Sequence, residues 1–192
     1  MSQEAGSAAP GWAGKWWFWL PWPLLVVLDL WSKHAVFTFL ADTYPDITEN
    51  LRKHTVWEGW LSFDLVAWGN PGTIWGLFQG STIPLMVLRC CAVVALFWFA
   101  RNTRPAARLQ QFVLSLVLAG ALGNLYDNFF RADRTVRDFL RFEGTWPQPW
   151  GFPAFNVADS CITVGAITLF LLLWREDGKR TEDRKAEGPK VS

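Results

Sequence analysis

Four long apolar stretches divide the chain, and the polar segments between them differ in character. The first opens after Lys15 with the aromatic cluster Trp16-Trp17-Phe18-Trp19-Leu20, suited to a bilayer interface, and continues through Leu24-Leu25-Val26-Val27-Leu28. The second runs from about Ile83 to Ala100, the third from about Leu109 to Phe130, and the fourth from Ala154 to Trp174. A helix rises ~1.5 Å per residue, so about 20 apolar residues cross the hydrocarbon of a membrane. The pattern therefore predicts four transmembrane helices. The first stretch superficially resembles a signal peptide, but no small-residue cleavage site follows it.

Ala41 to Thr82 is different material. Asp42, Asp46, Glu49, Arg52, Lys53, Glu58 and Asp64 make it soluble, while Leu61, Phe63, Leu65 and Ala67 alternate with Ser62, Asp64 and Val66 in the period of a strand. Asn70-Pro71-Gly72 is a turn signal that ends such a strand. Residues 131–152 form a second extramembrane loop, charged at first and then rich in Trp, Pro and Gly. Residues 1–14 are small and polar and 175–192 are charged; both are expected to be disordered, the latter as a cytoplasmic tail. Residues 15–174 remain as a single domain. The expected fold class is integral membrane, mainly α, with four transmembrane helices and a small extramembrane β-rich cradle, about 41–82, between helices 1 and 2.

Composition agrees: 51% of the 192 residues are hydrophobic and 14 are Trp, far above ordinary soluble usage. A net charge of +1 gives no sign of a nucleic-acid partner. Cys90, Cys91 and Cys161 lie in apolar segments without metal or redox spacing. Basic residues set the topology. Arg101, Arg104 and Arg108 fill the loop between spans two and three, and Arg175, Lys179, Arg180, Arg184 and Lys185 follow span four. The positive-inside rule puts both termini in the cytoplasm and the two larger loops outside.

Polar residues inside the spans are where chemistry is to be sought, since a charge deep in a bilayer costs roughly 2.5–3.5 kcal/mol even on lenient scales. Asp29 and Lys33 are four apart and able to pair; they either close a helix end near water or serve a site. Arg89 lies within the second span and marks a bundle-facing position. Gly120, Asn124 and Asp127 share one face of the third, whose Ala119-Gly120-Ala121-Leu122-Gly123 stretch lets helices approach closely. Asn156, Asp159 and Thr163 share one face of the fourth. No phosphate loop, His-Glu metal motif or nucleophile elbow is present, and His34 and His54 are isolated. No cofactor or metal is expected. Carboxylates remain: Asp127, Asp138 and Asp159. Two that approach closely share one proton, so that one activates water while the other donates. An acid-bearing bundle also suits a proton-coupled transporter, or a non-catalytic membrane protein.

Five motifs occur in order: Asp29-Leu30-Trp31-Ser32-Lys33, Asn70-Pro71-Gly72-Thr73-Ile74-Trp75-Gly76, Gly120-Ala121-Leu122-Gly123-Asn124-Leu125-Tyr126-Asp127, Val136-Arg137-Asp138-Phe139, and Phe155-Asn156-Val157-Ala158-Asp159-Ser160. The set resembles lipoprotein signal peptidase (signal peptidase II), the bacterial inner-membrane aspartyl peptidase that removes signal peptides from lipid-modified prolipoproteins. The resemblance implies that Asp138 and Asp159 are the catalytic pair and that Asn124 and Asn156 fix its geometry, with Asp127 a supporting group whose rival role is second catalytic acid. It implies that Asn70 and Gly72 contact substrate and that Asp29 and Lys33 form a buried structural pair. The implied substrate is a diacylglyceryl-modified prolipoprotein, cut before its lipidated cysteine by a monomeric enzyme among membrane lipids, with the active site facing outward. Two features depart from the family. Where it has a substrate-contacting Arg after the aspartate of Gly-Asn-x-x-Asp, this chain has Asn128, and the stretch from Asp127 to Asp138 is longer by about two residues. Arg131, one helical turn on, is the candidate replacement, and Arg134 is its rival.

Overall fold

A computed structural model describes residues 11–72 and 82–186, with side chains through Gly178. Among these residues, four helices are long and apolar enough to cross a membrane. The first comprises α1 (Trp16–Trp19) and α2 (Pro21–Thr43), which meet at Leu20 because Pro21 has no N–H to continue the ladder. The others are α3 (Ile83–Asn102), α4 (Arg108–Phe130) and α5 (Val157–Ala186). Helix α4 is central and mostly buried, while the other three present apolar faces outward. It packs most intimately on α5, through glycines. A Cβ on Gly120 would meet the Ala158 carbonyl and lie 2.5 Å from Ile162 Cγ1; one on Gly165 would lie 2.6 Å from Val117 Cγ2.

Three boundaries differ from expectation. Helix α2 does not end at Asp29 and Lys33, because both are buried against the bundle and the helix runs on to Thr43. At the other end, α5 continues past Trp174 to Ala186, through residues that include good helix formers and no proline. Of the segment expected to be disordered at the N-terminus, residues 11–14 are described, and Trp12 stacks on Phe18 at 5.9 Å and meets Phe97 edge-on. Lys15 closes this end of the bundle, donating to the Ala100 carbonyl at 2.6 Å at the end of α3. Residues 1–10 and 187–192, and Thr73 to Gly76 of the second motif, lie outside the described residues.

At the opposite end sits an antiparallel sheet of strands β1 (Lys53–Trp57), β2 (Leu61–Asn70), β3 (Val136–Gly144) and β4 (Trp150–Gly151), ordered β1-β2-β3-β4. The cradle expected between the first two spans is present as β1 and β2, and residues read as an outer loop complete it as β3 and β4. The alternation in β2 holds to Leu65, which stands opposite Leu140, and then breaks. Val66 and Ala67 together face the single residue Phe139, forming a bulge, after which Trp68 stands opposite Asp138 and Asn70 opposite Val136. Because side chains alternate with period two, this one-residue slip moves Asn70, rather than Gly69, onto the face that carries Asp138.

Candidate active site

The site forms where the sheet meets the N-terminus of α5. Asn156 is the residue before that helix, and Asp159 is its third. The two cap the helix reciprocally: Asp159 N–H donates to Asn156 Oδ1 at 2.8 Å, and Asn156 N–H donates to Asp159 Oδ2 at 3.2 Å. The Asn156 carbonyl oxygen is thus turned toward the helix, so its NH2 points away. It donates to Asp138 Oδ1 at 2.7 Å and reaches the Arg137 carbonyl at 3.2 Å. From the bulged end of β2, Asn70 Nδ2 donates to the other oxygen, Asp138 Oδ2, at 2.8 Å, while Asn70 Oδ1 accepts the Gly72 N–H at 2.8 Å. Gly72 has a φ of +89°, a conformation that suits glycine.

Asp138 is fully buried and Asp159 half-buried. Burial, reinforced by the negative charge of Asp159, pushes the Asp138 carboxyl up to about 8. Asn124, from α4, completes the bridge: its Nδ2 donates to Asp159 Oδ1 at 2.7 Å, and its Oδ1 accepts from Asn156 Nδ2 at 3.1 Å. That orientation is imposed from below. Lys33 Nζ donates to Asn124 Oδ1 at 3.1 Å, so the amide has only its NH2 left for Asp159.

Lys33 belongs to a buried charge cluster beneath the pair. It lies 2.7 Å from Asp29 Oδ2 and 3.3 Å from Asp127 Oδ2, and none of the three side chains is accessible. Asp29 Oδ1 in turn accepts the Ala158 N–H at 2.9 Å, fixing the first turn of α5 from α2. A Cβ on Gly123 would lie 2.5 Å from Asp29 Oδ2, so only glycine leaves room for this approach. Asp127 is held by Arg137, whose Nε and Nη2 reach Oδ1 at 3.0 and 2.6 Å and whose backbone N–H reaches Oδ2 at 3.0 Å.

The model of the family described as Signal peptidase (SPase) II matches residues 22–175. The chain belongs to the signal peptidase II family. It is 30% identical over 171 residues to a lipoprotein signal peptidase of Anoxybacillus flavithermus, covering 88% of this chain and 92% of the relative. It is 36% identical over 159 residues to that of Chlamydia muridarum, covering 81% and 91%. A solved bacterial membrane enzyme shares its fold with a TM-score of 0.66 at 22% identity, covering 90% of this chain and 92% of the other. The signal peptidase II family is one of proteases, and this member is a multi-pass membrane protein.

Within this signal peptidase II fold, Asp138, Asp159, Asn124 and Asn156 converge as one hydrogen-bonded group. Asn70, expected to touch substrate, is brought to Asp138 itself. Asp29 and Lys33 form a buried pair, which removes the reading in which they merely close a helix end near water. Asp127 has both oxygens engaged by cations, Lys33 on one and Arg137 on the other.

Arg131, the candidate to replace the family's arginine, has other described partners. It caps α4, its N–H donating to the Asp127 carbonyl at 3.0 Å, and with ψ 142° the chain turns away after it. Its guanidinium binds Glu49 at 3.1 Å and Asp133 at 3.1 Å and lies over the Phe37 ring. Arg134 is exposed in a left-handed turn, φ 55°, and offers its backbone carbonyl to Asn128 Nδ2 at 2.7 Å. Sequence reasoning did not place two residues here. Arg137, inside the Val-x-Asp-Phe motif, clamps Asp127, and Arg89, noted only as facing the bundle, donates to Asn128 Oδ1.

Proposed function

We propose that this protein is an intramembrane aspartyl endopeptidase that removes the signal peptide from diacylglyceryl-modified prolipoproteins, cutting just before the lipidated cysteine. The observation that carries this reading is the bridge of Asn156 and Asn124 between Asp138 and Asp159, with Asp138 holding its proton near neutrality. Asp159, whose carboxylate accepts two hydrogen bonds at the N-terminus of α5, takes the proton from water. Asp138 donates its proton to the peptide carbonyl as the tetrahedral centre forms, and the leaving amine is protonated in the next step. Leu140 and Phe142 continue the strand face that bears Asp138, opposite Leu65 and Phe63, and give an extended substrate an apolar bed. With both termini in the cytoplasm, the pair meets the scissile bond at the outer membrane face, while the diacylglyceryl chains remain in lipid.

The test is conversion of a purified lipidated prolipoprotein to its shorter product, with and without globomycin, the inhibitor known for the family. Asp138→Asn and Asp159→Asn should each abolish conversion, and the double variant should be no worse than either, because residues acting as a unit are not additive. Asp127→Asn should keep measurable turnover. Full activity in Asp138→Asn with loss in Asp127→Asn would move the second carboxylate onto α4 and sink the assignment.

A further inference from the structure

Arg89 is the seventh residue of α3, in an otherwise apolar run flanked by the outward-facing Val87 and Leu88. Its own side chain turns the other way and is half-buried against α4. There Asn128 receives it. Because Asn128 Nδ2 is committed to the Arg134 carbonyl at 2.7 Å, its Oδ1 faces α3 and accepts from Arg89 Nη1. This is the sole hydrogen bond of the guanidinium among the described residues, so four of its five N–H groups have no described partner. The charge of the Asp138–Asp159 pair and that of Asp127 both act on Arg89, yet no described carboxylate lies at ion-pair distance from it.

Charge balance explains why a cation belongs here. With one proton shared between Asp138 and Asp159, the buried group carries three negative charges: one on the pair, one on Asp127 and one on Asp29. Lys33 and Arg137 supply two positive ones. Arg89 is the third, and it is the only one of the three whose donors are not taken up by protein carboxylates. A guanidinium held by one edge beside the catalytic pair, with its fork free, is matched to carbonyl oxygens of an incoming extended peptide.

We propose that Arg89 is a substrate-binding residue of this active site, positioned by Asn128, and that its free N–H groups donate to peptide carbonyl oxygens flanking the scissile bond. This rests on the peptidase reading above. The position after Asp127, where the family has its arginine, has then passed its guanidinium to the neighbouring helix and kept an amide to hold it.

Three variants of the full chain test this against the parent protein's own cleavage of a lipidated prolipoprotein. Arg89→Gln should raise KM at least about tenfold with a smaller change in kcat, since charge-assisted hydrogen bonds lost from binding carry that much. Arg89→Lys, which keeps charge but not the fork, should recover only part of the loss. The exchange Arg89→Asn with Asn128→Arg returns the guanidinium to α4 and should restore cleavage that Arg89→Asn alone lacks. The same series in the Asp138→Asn background reads binding of the lipidated substrate without turnover, so it remains informative even if the parent's cleavage reading fails. Parental KM and parental binding in Arg89→Gln would overturn the proposal. So would a well-folded exchange variant that fails to restore either, or an Arg89→Gln whose losses are confined to thermal stability.

Discussion

In the proposed mechanism Asp138 links activity to stability through its proton, and the link has a sign. In the folded protein its carboxyl titrates at about 8, against 3.8 when unperturbed, because it is buried beside another carboxylate. Between pH 4 and 8 the native state therefore binds more protons than the unfolded chain, and stability falls as pH rises through that window. At 1.36 kcal/mol per decade the full loss is about 5 kcal/mol, and it belongs to the Asp138–Asp159 pair rather than to one residue. For a chain of 192 residues this corresponds to a fall in Tm on the order of 10–20 °C. Activity should lose its upper limb near pH 8, where the shared proton departs. The measurement is tryptophan-monitored melting in detergent at intervals from pH 4.5 to 8.5, alongside kcat/KM over the same range. Asp138→Asn is the control, and its slope rather than its level is the readout. An asparagine there must turn its NH2 toward the amide donor of Asn70 or Asn156, a conflict that costs stability at every pH alike. The variant should melt with a much flatter pH dependence. A parent whose Tm is level across the window, or a variant that keeps the parental slope, would refute the assignment of the buried proton to Asp138.

Two further outcomes are expected. Lys33→Met leaves Asp29 without its ion-pair partner and costs about 3–5 kcal/mol, roughly 6–20 °C of Tm by melting; combining it with Asp29→Asn, which keeps an oxygen for the Ala158 N–H, should regain a clear share, and equal melting of all three proteins would mean that the pair is not buried. Gly120→Ala drives a methyl into the Ala158 carbonyl and Ile162, so it should lower Tm by the equivalent of about 1–3 kcal/mol and reduce turnover by displacing the start of α5; a neutral result would show that the α4–α5 contact is looser than described.

The spans, the pairing of Asp29 with Lys33 and the Asn156–Asp159 turn were legible because each is local. A helix places residues three or four apart on one face whatever surrounds it, so an Asn and an Asp at that spacing announce a shared site. What escaped was set by partners distant in sequence. Leu140 and Phe142 alternate with Arg141 and Glu143 as a strand does, but Asp138 at the head of the run disguised β3 as a loop. The bulge at Val66–Ala67 exists only relative to Phe139, so no pattern within β2 foretells that Asn70 reaches Asp138. Arg131 keeps its helical place, its N–H on the Asp127 carbonyl, but no local pattern foretells that Glu49, Asp133 and the Phe37 ring receive its guanidinium.

The same reasoning explains why the charged residues of this bundle resist division into structural and catalytic sets. Lys33 makes no described contact with either member of the pair, yet it decides which end of the Asn124 amide faces Asp159. Asp29 is equally remote, yet its carboxylate anchors the Ala158 N–H in the turn that holds Asp159 against Asn156. Asp127 keeps Arg137 in place, and the Arg137 carbonyl is one of the acceptors that orient Asn156 toward Asp138. Each buried ion is thus one hydrogen bond away from an amide or backbone group that sets the geometry of the carboxylates. Removing any of them unbalances charge in low dielectric and turns an amide at the same time, so loss of stability and loss of activity should accompany one another in this layer. Arg89 is the exception by construction: its fork has no described carboxylate partner to abandon, and it is where a change can weaken substrate binding while the cluster stays assembled.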